Sequence, residues 1–262
     1  MADTPFLYKI LLYPIKSLPP VEVLEARVSR FGGLEWDRRL ALVAGDGGFV
    51  NGKRERRLHL VRARFSLERG LVYLSACCGG EEVYSLEDLE GMSGWFSRFL
   101  GYPVRVVEDP AGFPDDVENP GPTVVSTATL AELAGWFGWD LMQARLRIRA
   151  NLEVWSREPF WEDRLYPGSR GRVVFRVGEV LMEGRGVSAR CVVPSRDPFT
   201  GAVERGFQKR VAEMRKPMLR GKYPEGDHGY RLAVNTRILP GQEGKTIRVG
   251  DPVEVVEEVL RG

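Results

Sequence analysis

The chain has 262 residues, 43% of them hydrophobic and 28% charged, which is typical of a soluble globular protein with one large core or two modest cores. With 38 basic and 36 acidic residues, the formal net charge of +2 predicts no strong attraction to nucleic acid or to a membrane surface. No apolar run is long enough to cross a bilayer. Residues 1–5 lack the features of a signal peptide, so we expect a cytoplasmic protein.

The first half of the chain is predicted to be rich in β-strands, because short apolar segments alternate with turn residues. Strands are expected at 6–13, 21–31, 39–44, 49–50, 58–67, 71–75 and 103–107. Their close spacing suggests a barrel or sandwich. A helix is predicted up to Leu100, with Ser85 as its cap and Asp88 completing a capping box. The stretch 109–122, rich in Pro, Gly, Asp and Asn, is interpreted as the loop between two halves.

The second half is predicted to alternate strands with two helices. Helices are expected at 130–137, capped by Thr129, and at 207–219, where Pro217 disturbs the pattern. Strands are expected at 123–125, 145–154, 173–177, 180–182, 230–234 and 247–256. These elements predict an α+β protein that is predominantly antiparallel β.

A row of basic residues is predicted on the strand 145–154. Arg145, Arg147, Arg149 and Asn151 alternate along the sequence, and alternate residues of a strand share one face. Three neighbouring guanidinium groups repel one another unless an anion or acidic side chains compensate them. The residues alone leave both possibilities open: a bound phosphate, which arginine binds well, or pairing with Glu and Asp.

Three cysteines are present, Cys77, Cys78 and Cys191, and this odd number argues against a disulfide framework. Cys77 and Cys78 are adjacent and are interpreted as structural. No C-x-x-C pair occurs, so no iron–sulfur cluster is expected in this chain. His59 and His228 have no metal-ligand spacing and are also interpreted as structural.

Cys191 is predicted to lie on an extended segment that ends at the turn Asp197-Pro198-Phe199-Thr200-Gly201. A thiolate at that place can act as a nucleophile or as a soft metal ligand. The alternative is a buried, inert cysteine, which is the commoner role of a lone cysteine.

Several motifs in order along the chain resemble one family. They are Tyr13-Pro14-Ile15-Lys16-Ser17, Gly33-Leu34-Glu35-Trp36-Asp37-Arg38, Arg190-Cys191, the turn 197–201, and Ile247-Arg248-Val249-Gly250-Asp251. Together they resemble the MOSC domain, named for the C-terminal region of molybdenum-cofactor sulfurase, and the β-barrel segment that precedes it in amidoxime-reducing proteins. The resemblance implies a MOSC N-terminal β-barrel-like domain over residues 1–115 and a β-barrel MOSC domain over residues 116–262.

The same resemblance implies a molybdenum cofactor, molybdopterin with its metal, in a cleft between the halves. Cys191 would ligate the metal and act as the catalytic residue. Ser188 stands three residues before this cysteine, whereas the family has its serine two before, where this chain has Ala189. Ala150 replaces a family proline. The cofactor-binding residues implied by the resemblance are Lys16, Ser17, Arg38, Ser126, Arg149, Asn151 and Ser188.

The function implied by this family is that of a molybdenum-dependent oxidoreductase that reduces small N-hydroxylated compounds. Its electrons would come from a separate donor protein, and neither nucleic acid nor membrane is an expected partner. Two alternatives stay open. Cys191 could carry a persulfide or hand on the cofactor, or the chain could be a binding module without turnover. Molybdenum content distinguishes the reductase from a persulfide carrier.

Overall fold

The structure is a computed structural model that describes residues 4–76, 79–113, 120–166, 171–188, 191–219 and 229–260. The expectations for Cys77, Cys78 and His228, and for the residues at 189–190, lie outside these ranges. No helix in the described ranges combines the length and the apolar character needed to cross a bilayer.

The described residues form β-strands in four sheets and four α-helices. The strands are β1 (Phe6–Leu12), β2 (Val21–Val23), β3 (Glu25–Arg27), β4 (Leu40–Ala44), β5 (Phe49–Val50), β6 (Val61–Ser66), β7 (Leu71–Ala76), β8 (Glu82–Ser85), β9 (Val104–Glu108), β10 (Thr123–Ser126), β11 (Leu152–Trp155), β12 (Gly171–Val177), β13 (Val180–Val187), β14 (Val234–Ile238), β15 (Thr246–Arg248) and β16 (Val253–Leu260). The helices are α1 (Leu89–Leu100), α2 (Thr127–Phe137), α3 (Leu141–Ile148) and α4 (Phe207–Leu219).

The largest sheet has eight strands in the order β16-β12-β13-β14-β10-β11-β1-β2. Strands from the start of the chain therefore share one sheet with strands from its second half. All neighbours are antiparallel except β10 and β11, which are parallel. Phe6 also bridges Pro252 just before β16, and this contact curls the sheet towards itself. Buried Ile10, Leu152 and Phe175 belong to the core of this sheet.

The first part of the chain builds a second core from smaller sheets, β5-β4-β9 and β6-β7-β8, which pack with α1. This helix begins after Asp88, whose Oδ1 accepts a hydrogen bond from the Gly91 N–H at 2.8 Å. Ser85, the predicted cap, instead ends β8, a strand that the sequence did not predict. The mixed α+β class with mostly antiparallel sheets is confirmed, although the pairing in the described ranges forms no closed barrel.

The predicted strand 145–154 is wrong in its first half, because the segment begins with α3. Asp140 caps this helix by accepting a hydrogen bond from the Gln143 N–H, and buried Ala144 and Ile148 lie one turn apart on its inner face. Arginines two apart on a helix point about 200° away from each other. The single basic strand face therefore does not exist.

The predicted strand around Cys191 is also wrong. β13 ends at Val187, and Cys191 lies in irregular chain before a 3₁₀ turn at Val193–Ser195. Pro194 lacks the N–H that a paired strand needs, which explains why the extended pattern is not realised.

Smaller differences concern element boundaries. α2 starts at Thr127 with Ser126 as its cap, three residues before the predicted start. The predicted strand 21–31 is split into β2 and β3. The strand predicted at 230–234 is displaced, because β14 shares only Val234 with it. The hairpin about Gly178 and the helix of residues 207–219 are confirmed.

Candidate functional site

A cleft opens between segments of the two predicted halves. Five segments form its walls: the loop after β1, the 3₁₀ turn that leads into β6, the start of β6, the end of α3, and the loop that follows Cys191. The lining residues are Ser17, Pro19, Leu58, His59, Val61, Arg62, Ala63, Leu146, Arg149, Val193, Arg196, Pro198 and Phe199.

Three arginines line this cleft, and all three donate to backbone carbonyls. Arg149 Nη2 donates to the carbonyl of Leu18 at 2.8 Å, Arg62 Nη2 to that of Phe199 at 3.1 Å, and Arg196 Nη2 to that of Lys53 at 3.3 Å. Within the described ranges, none of the three guanidinium groups lies within 4 Å of a carboxylate. The cleft therefore holds positive charge that no acidic side chain of these ranges neutralises.

His59 also lines the cleft. Burial lowers the pKa of His59, and the nearby positive charges of Arg149 and Arg196 lower it further, against the opposing effects of the Gly52 carbonyl and Asp197. The imidazole is thus held in its neutral form near neutral pH. The interpretation of His59 as merely structural missed its place in the cleft, and no sequence spacing signals that place.

Behind the cleft, the predicted site residues Arg38, Arg149 and Asn151 converge on Tyr13 and Asp37. The Arg149 guanidinium carbon lies 4.3 Å from the centre of the Tyr13 ring. Asp37 Oδ1 accepts hydrogen bonds from the Tyr13 N–H and from Asn151 Nδ2, both at 3.0 Å. Asp37 Oδ2 accepts one from Arg38 Nε at 2.7 Å. This network joins residues more than 100 positions apart into one rigid unit.

Asn151 is an internal part of this unit rather than a lining residue of the cleft. Its side chain is 3% exposed. Its Nδ2 donates to the Leu11 carbonyl and to Asp37, and its Oδ1 accepts from the Thr123 N–H at 3.1 Å. With both ends of the amide engaged, Asn151 is placed to fix β1 and β10 around the site, not to touch a ligand in the cleft.

Ser126 and Ser188 are buried and likewise do not line the cleft. Ser126 Oγ accepts from the Thr129 N–H and thereby caps α2, while its own N–H donates to Glu162. The Ser188 N–H donates to the Ala233 carbonyl at 2.9 Å. Both serines occupy places where they support neighbouring backbone.

Lys16 and Ser17 form the loop after β1. Ser17 lines the cleft. Lys16 does not line it, and its ammonium lies 5.4 Å from the centre of the Phe49 ring. The Lys16 N–H donates to the Leu40 carbonyl at 2.7 Å, which fixes the loop against β4.

Left-handed backbone conformations concentrate at the predicted site. Ser17, Arg38 and Arg149 have φ angles of 75°, 53° and 55°. A non-glycine residue in this conformation costs on the order of 1 kcal/mol, and such residues cluster at functional sites. In the described ranges the non-glycine residues with positive φ are Ser17, Trp36, Arg38, Arg149, Phe160 and Ala233.

Cys191 is partly exposed and stands two residues before Val193, which lines the cleft. Cys191 itself is not a lining residue. Across the described ranges, no three His, Cys, Asp or Glu side chains are grouped as metal ligands.

The loop after Cys191 is held by buried Arg147. Arg147 Nη1 donates to the Pro194 carbonyl at 3.3 Å, and Nη2 lies 3.5 Å from Asp197 Oδ2. The guanidinium also stacks 4.1 Å from the Trp139 ring centre. Asp197 Oδ1 accepts the N–H groups of Phe199 and Thr200 and thus shapes the turn. Arg147 therefore positions the loop instead of joining a row with Arg149.

The environment of Arg145 differs from those of Arg147 and Arg149. Its Nε and Nη2 donate to the two carboxylate oxygens of Glu153 at 2.5 and 2.9 Å, and both side chains are buried. For Arg145 and Arg147, acidic partners supply the compensation that the sequence left open. Arg149 has no such acidic partner in the part of the chain that the structure describes.

The architecture and the basic cleft define an α+β protein with a site suited to an anionic ligand. Residues 5–88 match the family described as the MOSC N-terminal beta barrel domain. This part of the chain is therefore similar to a MOSC N-terminal domain, and the resemblance seen in the sequence is confirmed for residues 5–88. The match includes Ser17, Arg38, His59 and Arg62.

A solved structure of the YuaD protein from Bacillus subtilis is similar over 96% of this chain and 95% of that one. The sequence identity is 13% and the TM-score is 0.42. No curated protein matches the chain.

Proposed function

We propose that this protein binds a molybdenum cofactor in the cleft and reduces small N-hydroxylated molecules with electrons from a separate donor protein. The observation that carries the proposal is the pair of cleft arginines Arg149 and Arg196, neither of which has a carboxylate partner in the described ranges. The match to a MOSC N-terminal domain supports the choice of cofactor.

The residues of the cleft fit such a cofactor, which combines a phosphate with a flat heterocycle. Arg196 Nε is buried and has no hydrogen-bond partner among the described residues, so it offers a donor that a phosphate oxygen would satisfy. Arg149 and the Ser17 hydroxyl can donate to the same group. Apolar walls from Leu58, Leu146 and Val193 suit the ring system.

The cofactor, when bound, supplies the two-electron redox chemistry and the dithiolene ligands of the metal. Cys191 contributes a soft thiolate ligand from the chain. Reduction of an N-hydroxylated compound takes up two electrons and two protons, breaks the N–O bond and releases water. The electrons come from the donor protein.

The role of the network around Asp37 is to hold the binding groups in place before a ligand arrives. Asp37 fixes Arg38 through an ion pair and ties Tyr13 to Asn151. Tyr13 in turn stacks under the Arg149 guanidinium. A group that is already ordered loses little conformational entropy on binding, so this arrangement favours affinity.

A second candidate function is that of a sulfur carrier, in which Cys191 bears a persulfide. The partial exposure of Cys191 and its place outside the lining of the cleft favour this alternative. A persulfide carrier would release sulfide on reduction and would contain no molybdenum.

The proposal is tested with protein purified from a host that makes molybdenum cofactor. We expect matching amounts of molybdenum and pterin, and reduction of benzamidoxime with an artificial electron donor. Cys191→Ser is nearly isosteric but replaces a soft ligand with a hard one, so turnover should collapse while the fold and most of the pterin are retained.

Cys77→Ser and Cys78→Ser serve as matched controls, and their activity should stay near that of the wild type. Full activity in Cys191→Ser would show that the thiolate is not a required ligand. Sulfide release from a metal-free protein would instead support the carrier.

A further inference from the structure

We propose that the mouth of the cleft selects substrates in which a carboxylate or similar anionic group is attached to a flat apolar body. This inference rests on the proposed function and names the substrate class of the same site. It depends on Arg62, on Phe199 and on the charges around them.

Arg62 lies at the mouth, on the exposed face of β6. Its Nη1 donates to the His59 carbonyl at 3.0 Å and its Nη2 to the Phe199 carbonyl at 3.1 Å. The guanidinium carbon is 5.2 Å from the centre of the Phe199 ring. Nη1 also donates to the Val61 carbonyl at 3.4 Å. Three carbonyls and a ring thus hold the group in position without cancelling its charge, and the exposed side chain stays accessible to a ligand.

Further cations surround the mouth. Lys53, Arg54 and Arg56 are exposed, and in the described ranges none of them has a carboxylate within 4 Å. Arg57, by contrast, is paired with Glu55. We call Lys53, Arg54, Arg56 and Arg62 the cationic rim.

The cationic rim borders the cleft through direct contacts with the loop after Cys191. The Lys53 carbonyl accepts a hydrogen bond from Arg196, a lining residue. Gly201 has a φ of 68° and lies so close to Arg56 that a Cβ at this position would come within 2.6 Å of Arg56 Cγ. The turn that contains Phe199 therefore packs against the cationic rim.

The surfaces next to Arg62 are apolar. Val61, Ala63, Pro198 and Phe199 line the cleft, and Phe199 is 40% exposed. An aromatic ring can lie against these side chains while its acidic substituent meets Arg62. A neutral molecule of the same shape lacks that contact, and a cationic one is repelled by the rim.

Arg62 and Arg149 are expected to serve different ligands. Arg149 is anchored inside the molecule by Tyr13 and Leu18, next to the residues that we assign to the cofactor. Arg62 stands at the open side, on an exposed strand position. Loss of Arg149 should therefore affect the cofactor, and loss of Arg62 should affect the choice of substrate.

The first experiment compares 4-carboxybenzamidoxime, benzamidoxime and 4-(aminomethyl)benzamidoxime as substrates of the holoenzyme. We expect kcat/KM for the carboxylate to exceed that for the neutral compound by about tenfold or more, mainly through KM, as one charge-assisted hydrogen bond allows. The cationic compound should be the poorest. Arg62→Gln should remove most of the preference.

The matched control is Arg64→Gln, two residues further along β6. Arg64 is also exposed, but it pairs with Glu81 and stacks on Tyr73. This variant should keep the preference. Equal kcat/KM for the carboxylate and neutral substrates in the wild type would overturn the proposal.

A second experiment needs no turnover, so it separates this inference from the proposed function. Calorimetry on the purified protein compares 4-carbamoylbenzoate with benzamide, neither of which is N-hydroxylated. We expect the carboxylate to bind about tenfold tighter or more in the wild type and in Arg149→Gln, but not in Arg62→Gln. Molybdenum and pterin contents should be unchanged in Arg62→Gln.

Two outcomes contradict the inference. Binding of the carboxylate that is lost in Arg149→Gln but retained in Arg62→Gln would place the anion at the inner site. Equal binding of both probes in the wild type would show that the mouth does not recognise small anions, and would leave an acidic protein surface as the partner of the cationic rim. Absence of molybdenum would defeat the proposed function, but the binding comparison would still decide this inference.

Discussion

In two regions of the molecule, arginine side chains have different kinds of hydrogen-bond partner. Between α3 and β11, Arg145 is buried and both carboxylate oxygens of Glu153 accept its hydrogen bonds. At the end of the same helix, Arg149 reaches the cleft and donates to the Leu18 carbonyl. Arg62 and Arg196 resemble Arg149, since they also meet carbonyls rather than carboxylates.

The difference follows from the cost of removing a charge from water. A fully buried guanidinium without a partner would cost several kcal/mol, so Arg145 requires Glu153. In an open cleft the charge stays partly hydrated and tolerates the absence of an acidic side chain. Such a charge remains available for an external anion. The contrast therefore distinguishes arginines that maintain the fold from arginines that we propose to bind ligands.

The largest expected effect is on the buried pair. Glu153→Ala leaves Arg145 buried and uncompensated, so the free energy of unfolding should fall by about 3–5 kcal/mol. Urea denaturation measures this change.

The double variant Arg145→Met with Glu153→Leu is the control, because it replaces both charges with apolar groups of similar size. It should recover much of the stability. A loss below about 1 kcal/mol in Glu153→Ala would mean that the pair does not behave as buried.

The next effect concerns a buried acidic side chain that forms no ion pair within the described ranges. Glu162 is buried, and among the described residues only its Oε2 accepts hydrogen bonds, from the Ser126 N–H and the Thr129 hydroxyl. Burial, with the nearby charge of Asp163, raises the pKa of Glu162 from 4.5 to about 7.

This shift predicts how stability depends on pH. Between pH 4.5 and about 7 the unfolded chain loses the proton while the folded protein keeps it, so the stability contributed by Glu162 falls as pH rises and levels off above pH 7. The loss amounts to roughly 3 kcal/mol. Thermal unfolding of Glu162→Gln at pH 5 and pH 8 should show this dependence removed.

Glu179→Gln, at an exposed turn position, is the control and should keep the pH dependence of the wild type. An identical pH dependence in Glu162→Gln and the wild type would show that Glu162 titrates normally.

The smallest expected effect in free energy, but the most specific one, is on cofactor retention. Arg149→Ala should weaken pterin binding by about ten- to a hundredfold, which corresponds to the loss of one charge-assisted hydrogen bond. The fold should persist. Pterin content of the purified variant measures the effect.

Arg176→Ala is matched to it, because Arg176 pairs with Glu254 on the exposed surface. That variant should keep its pterin. Full pterin content in Arg149→Ala would contradict the proposed distinction between arginines that maintain the fold and arginines that bind a ligand.

The sequence predicted much of the local structure because local signals carry it. Apolar alternation and glycine turns located β4, β5, β12 and β13, and Asp88 and Gly101 at the ends of α1 have the chemistry of helix caps. The strand prediction for the segment 145–154 was wrong for a definable reason. Its arginines fit a period of two, while Leu141, Ala144 and Ile148 fit a helix, and short runs do not separate the two periods.

The site could be predicted only in part. The motifs identified Ser17, Arg38 and Arg149, and the structure places these residues around one cleft and its supporting network. They also identified Asn151, but not that its side chain turns inwards to Asp37 and Leu11.

His59, Arg62 and Arg196 were missed as site residues. They belong to no recognised spacing and meet only because distant segments fold together. Pairing across such distances, as between β1 and β11, leaves no local trace in a single sequence.

The left-handed conformations at Ser17, Arg38 and Arg149 have a consequence for laboratory evolution. Glycine would adopt the same φ angles without steric cost, and each replacement would relieve on the order of 1 kcal/mol. Selection for heat resistance alone should therefore drive Ser17 and Arg149 towards glycine, whereas Arg38 is also held by its ion pair with Asp37. A library that is also screened for ligand binding should keep the original side chains. The positions at which the two selected populations differ would be those where a side chain serves ligand binding at the expense of stability.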